Sequence, residues 1–118
     1  MPCDPTTFVI DATPDGGRTF RLGSLEIEHV SGDDITGKLV LADGTREPFT
    51  GKCRPAPPGG QVSVVSLFVT INQSSYLFVG SMFDVNIFGG YYRIGNAKEV
   101  RDPDPGDTGT WGGSQTRR

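Results

Sequence analysis

The stretch Tyr76–Tyr92, YLFVGSMFDVNIFGGYY, states twice a five-residue phrase: an apolar residue, any residue, glycine, any residue, an apolar residue. The first copy is Phe78, Gly80, Met82 and the second is Ile87, Gly89, Tyr91. The phrase recurs upstream as Ile35, Gly37, Leu39 and as Phe49, Gly51, Cys53, and a shortened copy, Gly109 and Trp111, lies near the end. Because side chains alternate faces along a strand, each copy puts two apolar groups on one face with a glycine between them. Glycine inside a strand marks a bend or the close approach of another group. Glycines on the same face of several strands suit a small closed sheet, whose wall curls tightly around a crowded lumen.

Working outward, the 118 residues are read as a single domain over 1–118, with mobile ends at 1–6 and 116–118 and an acidic, proline-rich loop at 102–107. Seventeen glycines and nine prolines interrupt any long helical pattern. Val, Ile, Thr, Phe and Tyr fill the runs between them, which is strand composition. Phe8, Ile10 and Ala12 share one face of a first strand. Phe20 and Leu22 begin a second, and Gly23-Ser24 shifts its phase before Leu25 and Ile27, as a bulge would. Asp43-Gly44 between two strand-like runs signals a hairpin. The runs number about eight, so the expected fold is all-β, an eight-stranded antiparallel up-and-down barrel, near the size that encloses its own side chains or one small ligand.

The later strands differ from the earlier ones. Thr36, Lys38, Thr50 and Lys52 make the glycine-free face of the early strands polar, whereas Val62, Val64 and Phe68 sit opposite Val65, Leu67, Val69 and Ile71. Likewise Leu77, Val79, Phe83, Phe88 and Tyr92 lie opposite the glycine face. Strands apolar on both faces are normally covered on both. These five residues are therefore expected to form the interface of a homo-oligomer, a dimer or tetramer, with a C-terminal segment folded back over them as the alternative.

A formal net charge of −3 with both signs interspersed argues against a nucleic-acid or anionic-membrane surface, and no apolar run approaches the ~20 residues of a membrane-spanning helix. The first residues, MPCDPTTF, lack the regions of a signal peptide. The expected location is cytoplasmic, with a trimmed secreted form as the alternative. Cys53 is read as a small buried hydrophobe in preference to a disulfide partner of Cys3. His29, the single histidine, reads as a pendant group at a strand end, and Asp33-Asp34 as a turn. Asp102, Asp104 and Asp107 read as a solvated linker in preference to a calcium loop. No motif of a nucleophilic, phosphate-binding or zinc site is present, and neither a cofactor nor catalysis is expected.

The order Leu22-Gly23-Ser24, ITGKL at 35–39, FTGKC at 49–53, VSLFVTIN at 65–72 with its neighbours, and FVGSM at 78–82 resembles avidin and streptavidin, members of the calycin barrels. The resemblance spans about residues 20–85 and implies an eight-stranded barrel that assembles through its later strands. It implies that Ser24 matches a serine bonding the biotin ureido oxygen, Ser74 a serine near the ligand's tail, and Phe78 a lining tryptophan. Leu39 stands where the family has a ureido-binding tyrosine, Leu41 where it has a serine, and Ile71 where it has a tryptophan. These departures predict a lumen more apolar than a biotin site.

Tyr76, Phe78, Tyr91 and Trp111 share the glycine-bearing face, as aromatic groups around an enclosed small-molecule site do. The expected ligand site is therefore Ser24, Leu39, Ser74, Tyr76, Phe78, Tyr91 and Trp111, holding a small hydrophobic or amphipathic molecule. Two alternatives stand beside it: a structural or protein-interaction oligomer whose barrel is closed and filled with side chains, and a barrel isomerase or cyclase using a tyrosine as acid.

Overall fold

The computed structural model describes residues 5–54, 62–71, 73–94 and 107–116. They form eight strands: β1 Thr6–Pro14, β2 Phe20–Ser31, β3 Asp34–Leu41, β4 Arg46–Arg54, β5 Ser63–Ile71, β6 Ser74–Phe83, β7 Asn86–Ile94 and β8 Thr108–Gln115. Each is antiparallel to the next, and β8 pairs back with β1, so the sheet closes into an up-and-down barrel. No α-helix occurs among the described residues.

The recurrent phrase sets the inner surface. Phe8, Ile10, Leu25, Ile27, Ile35, Leu39, Phe49, Cys53, Val65, Leu67, Phe78, Met82, Ile87 and Trp111 are all buried there. Register explains the glycines between them. Gly37 pairs with Phe49, Gly51 with Leu67, and Gly89 with both Gly80 and Trp111. A Cβ at Gly37 would lie 2.9 Å from Phe49 Cε2, one at Gly80 would lie 3.0 Å from Trp111 Cζ2, and each would also overlap a carbonyl oxygen of the neighbouring strand. The large side chain of one strand lies over the glycine of the next, and a lumen this narrow has no volume for both.

Two local devices shape the wall. Ile10 pairs with Gly23 and Asp11 with Arg21, so Leu22 is the extra residue of a β-bulge, and Gly23 has a φ of 155°. In the β3–β4 hairpin, Gly44 takes a φ of 92° and the Thr45 N–H donates to Asp43 Oδ1 at 2.9 Å. The positive φ favours glycine, and the aspartate closes the turn onto its own backbone. That bond, together with the Thr45 hydroxyl, holds the Asp43 carboxyl below its usual range.

Three expectations change. Thr6 already belongs to β1, and Thr116, expected to fray, donates its backbone N–H to the Thr7 carbonyl at 2.9 Å. The C-terminal run Thr108–Gln115 is a wall strand between β7 and β1, so it does not fold back over the later strands. Cys53 is fully buried as expected, but its sulfur is engaged in a disulfide. Cys3, Asp102 and Asp104 lie outside the described residues.

Candidate functional site

Among the described residues the lumen is filled over much of its length and open at one end. Midway along it, Ile10, Leu25, Leu39, Phe49, Leu67, Phe78 and Trp111 surround an apolar void of about 10 Å³, room for one water at most. Above this level, at the end carrying the β1–β2, β3–β4, β5–β6 and β7–β8 connections, the described residues leave a cavity of about 400 Å³ that opens outward. Its lining includes Ala12, Pro14, Phe20, Leu22, Leu41, Ile71, Tyr76, Phe78 and Tyr91. Among the described residues a packed middle thus lies below a hollow mouth.

The mouth is built from an aromatic floor. Phe78 and Tyr91 are paired across β6 and β7 and stack with centroids 5.3 Å apart at 27°. Tyr76 meets Tyr91 edge-on at 6.1 Å, and below them the Trp111 ring stands at 86° to Phe78, 5.6 Å away. Such offset and edge-to-face pairs are each favourable beyond their buried area, by about 0.5–1.5 kcal/mol. Trp111 Nε1 donates to the Gly90 carbonyl at 3.0 Å, which fixes the indole as a support under the floor.

The phenol hydroxyls of Tyr76 and Tyr91 make no hydrogen bond to another described residue, although both rings line the cavity. Burial lifts the Tyr91 phenol above its usual range, and Tyr76 and then Asp15 add to the shift. Tyr91 is therefore neutral across the physiological range and free to donate. The one arginine in the lining, Arg21, is cross-strand from Asp11 and donates to its Oδ1 at 2.6 Å, on the outer parity of β1 and β2.

Of the seven residues expected in the site, Tyr76, Phe78 and Tyr91 line the mouth cavity together. Leu39 and Trp111 lie deeper, around the small void. Ser74 sits at the first turn of β6, where its hydroxyl accepts from Arg93 Nε at 3.2 Å. Ser24 is placed differently: it pairs with Val9 and Val40 on the outer face, because the bulge at Leu22 adds one residue and reverses the parity that would have turned it inward. Leu41 and Ile71, the apolar departures from the family's lumen, belong to the mouth, and Phe20 and Leu22, not expected there, join them. Their signal was available: each is an inward position at the end of a strand on the same rim.

On the outside, Val79, Phe83, Phe88 and Tyr92 are exposed and Leu77 is half-exposed. No protein-family model matches this chain, and neither the curated proteins nor the solved structures contain a match to it.

Proposed function

We propose that this protein is a non-catalytic binding barrel that holds one small hydrophobic or amphipathic molecule in its mouth. The observation that carries this reading is the pair of phenol hydroxyls, without a hydrogen-bond partner among the described residues, in a largely apolar cavity of about 400 Å³ set on a floor of stacked rings. A site of that volume falls within the range of small-molecule pockets, and a few placed polar groups in an apolar lining are how such pockets orient a ligand. A flat apolar body would lie on Phe78 and Tyr91, with a carbonyl, ether or ring-nitrogen acceptor toward the hydroxyls. The barrel is compatible with the resemblance to avidin and streptavidin without being particular to it, and the apolar Leu39, Leu41 and Ile71 speak against a ureido ligand.

A filled structural barrel accounts for the middle of the lumen but not for its hollow end. The disulfide at Cys53 favours an oxidising compartment, such as a periplasm or the extracellular space, over a reducing cytoplasm.

Native mass spectrometry of the protein purified from its source tests the reading, with a retained small-molecule mass as the expected result. In parallel, 1-aminoanthracene, a neutral aromatic probe, is expected to bind and to quench Trp111, the single tryptophan. Tyr76→Phe with Tyr91→Phe should weaken acceptor-bearing ligands by about tenfold, the worth of one or two net hydrogen bonds. A bare protein that also fails to bind the probe would leave the structural barrel as the better account.

A further inference from the structure

We infer that the outer face of β5–β7 is the contact surface of a two-fold homodimer, with a second copy of this chain as its occupant. The outward positions of these three adjacent strands carry no charged side chain, and Val64, Phe68, Val79, Phe83, Phe88 and Tyr92 are all exposed there. The opposite wall has the usual character of a solvated face, with Glu26, Lys38, Lys52 and Arg54 outward and Lys52 donating to Asp34. The asymmetry excludes a barrel that spans a bilayer, since that requires an apolar band on every strand.

The area is of the right size. At exposures of 42–55 % for these six side chains, with Val62 and Ile94 beside them, the wall leaves roughly 600 Å² of apolar surface in contact with water. That is the upper limit of what lone monomers tolerate in one patch. It also approaches the ~800 Å² that each partner contributes to a standard interface.

The occupant follows from the remaining chain and from the chemistry of the wall. Within this sequence the other connecting segments lack the apolar content to cover it: 1–4 reads MPCD, 55–61 reads PAPPGGQ and 95–106 reads GNAKEVRDPDPG. β8 is itself part of the barrel. An unlike protein would be selected by complementary charge, and the wall carries none, whereas a two-fold pair needs only that the patch fit itself. The relief supplies that fit. Ser66, Val79 and Gly90 form a shallow row across the middle of the patch, between the taller rows Phe68–Leu77–Tyr92 and Val64–Ser81–Phe88. Gly90 keeps the trough open, since a Cβ there would touch only the Gly109 carbonyl oxygen at 3.4 Å. A two-fold axis through this trough, along or across the central strand β6, sets the two copies of Val79 against each other. The wall is on the barrel's flank and the ligand cavity at its end, so neither proposal depends on the other.

Sedimentation equilibrium of the full chain between ~1 and ~100 µM tests the assignment. The wild type should fit about 25 kDa, twice the 12.6 kDa of the chain. Val79→Asp places two like charges at the axis and should raise the dimer Kd at least ~100-fold, the scale of a buried uncompensated charge pair, with an unchanged β-sheet circular dichroism spectrum. Thr36→Asp, on the solvated wall, should leave the dimer intact. A tetramer that Val79→Asp divides supports the assignment as well, because the wall is then one of its interfaces. Should Val79→Asp prove insoluble, Val79→Cys provides the second test: it should cross-link covalently into dimers under mild oxidation, while Thr36→Cys should not. A wild type that stays monomeric at ~100 µM, an oligomer that Val79→Asp leaves whole, or a Val79→Cys that does not cross-link would overturn the assignment.

Discussion

Gly80→Ala and Gly90→Ala form a matched pair whose effects on stability should have opposite signs. Both glycines lie on neighbouring strands of one wall, Gly80 pairing with Gly89 and Gly90 with Val79. In a strand, replacing glycine by alanine narrows the unfolded ensemble and stabilises by about 0.4–1 kcal/mol where the site has space. Gly90 has that space, its nearest foreign atom being the Gly109 oxygen at 3.4 Å. Gly80 does not: its Cβ would overlap the Phe88 carbonyl oxygen and come within 2.8 Å of that carbonyl carbon and 3.0 Å of Trp111 Cζ2. The indole cannot withdraw without losing its bond to the Gly90 carbonyl, and the carbonyl belongs to the β6–β7 ladder. Overpacking of a rigid site costs about 1–3 kcal/mol, so Gly80→Ala should be a net loss of roughly 1–2 kcal/mol. At this chain length that is a fall of about 4–8 °C in Tm. Both variants are to be melted at one fixed protein concentration, because association shifts apparent stability by mass action. A Gly80→Ala protein at least as stable as the wild type would refute the claim that the inner glycines exist to seat the rings beside them.

Three further outcomes follow from the same structure. Trp111→Phe removes the donor to the Gly90 carbonyl and leaves space beneath Phe78, and should cost about 2–3 kcal/mol in denaturant unfolding. Tyr91 should ionise above the usual phenol range in an ultraviolet titration. Since folding raises its pKa, the native state holds the proton more tightly, and stability should decline as pH rises from the unfolded value near ~10 through the higher folded one. Cys53→Ala should destabilise by about 2–4 kcal/mol in non-reducing buffer, and dithiothreitol should lower the Tm of the wild type but not of the variant.

The barrel was legible in the sequence because a period of two is a local property. Phe78, Gly80 and Met82 need no partner strand to show that they share a face, and enough such runs between turn residues leave few ways to close a sheet. The depth of a residue within the lumen is not local. Tyr91 and Trp111 have the same parity and nearly the same chemistry, yet one lines the mouth and the other supports the floor, because strand tilt and stagger set their levels. Parity itself fails across a bulge: the phase shift at Gly23-Ser24 was visible, but its consequence for Ser24 depends on which residue is extra, and Leu22 is fixed as that residue only by pairing with β1. The disulfide was obscure for a related reason. Two cysteines fifty positions apart carry no spacing signal, and the apolar pattern around Cys53 is the same whether its sulfur is paired or not.

Because β8 zips back onto β1, every strand spends its backbone donors and acceptors on two neighbours. The barrel therefore offers no free edge onto which another chain could add a strand, the route by which exposed sheets recruit peptides or polymerise. A partner that meets the barrel wall must therefore recognise side chains.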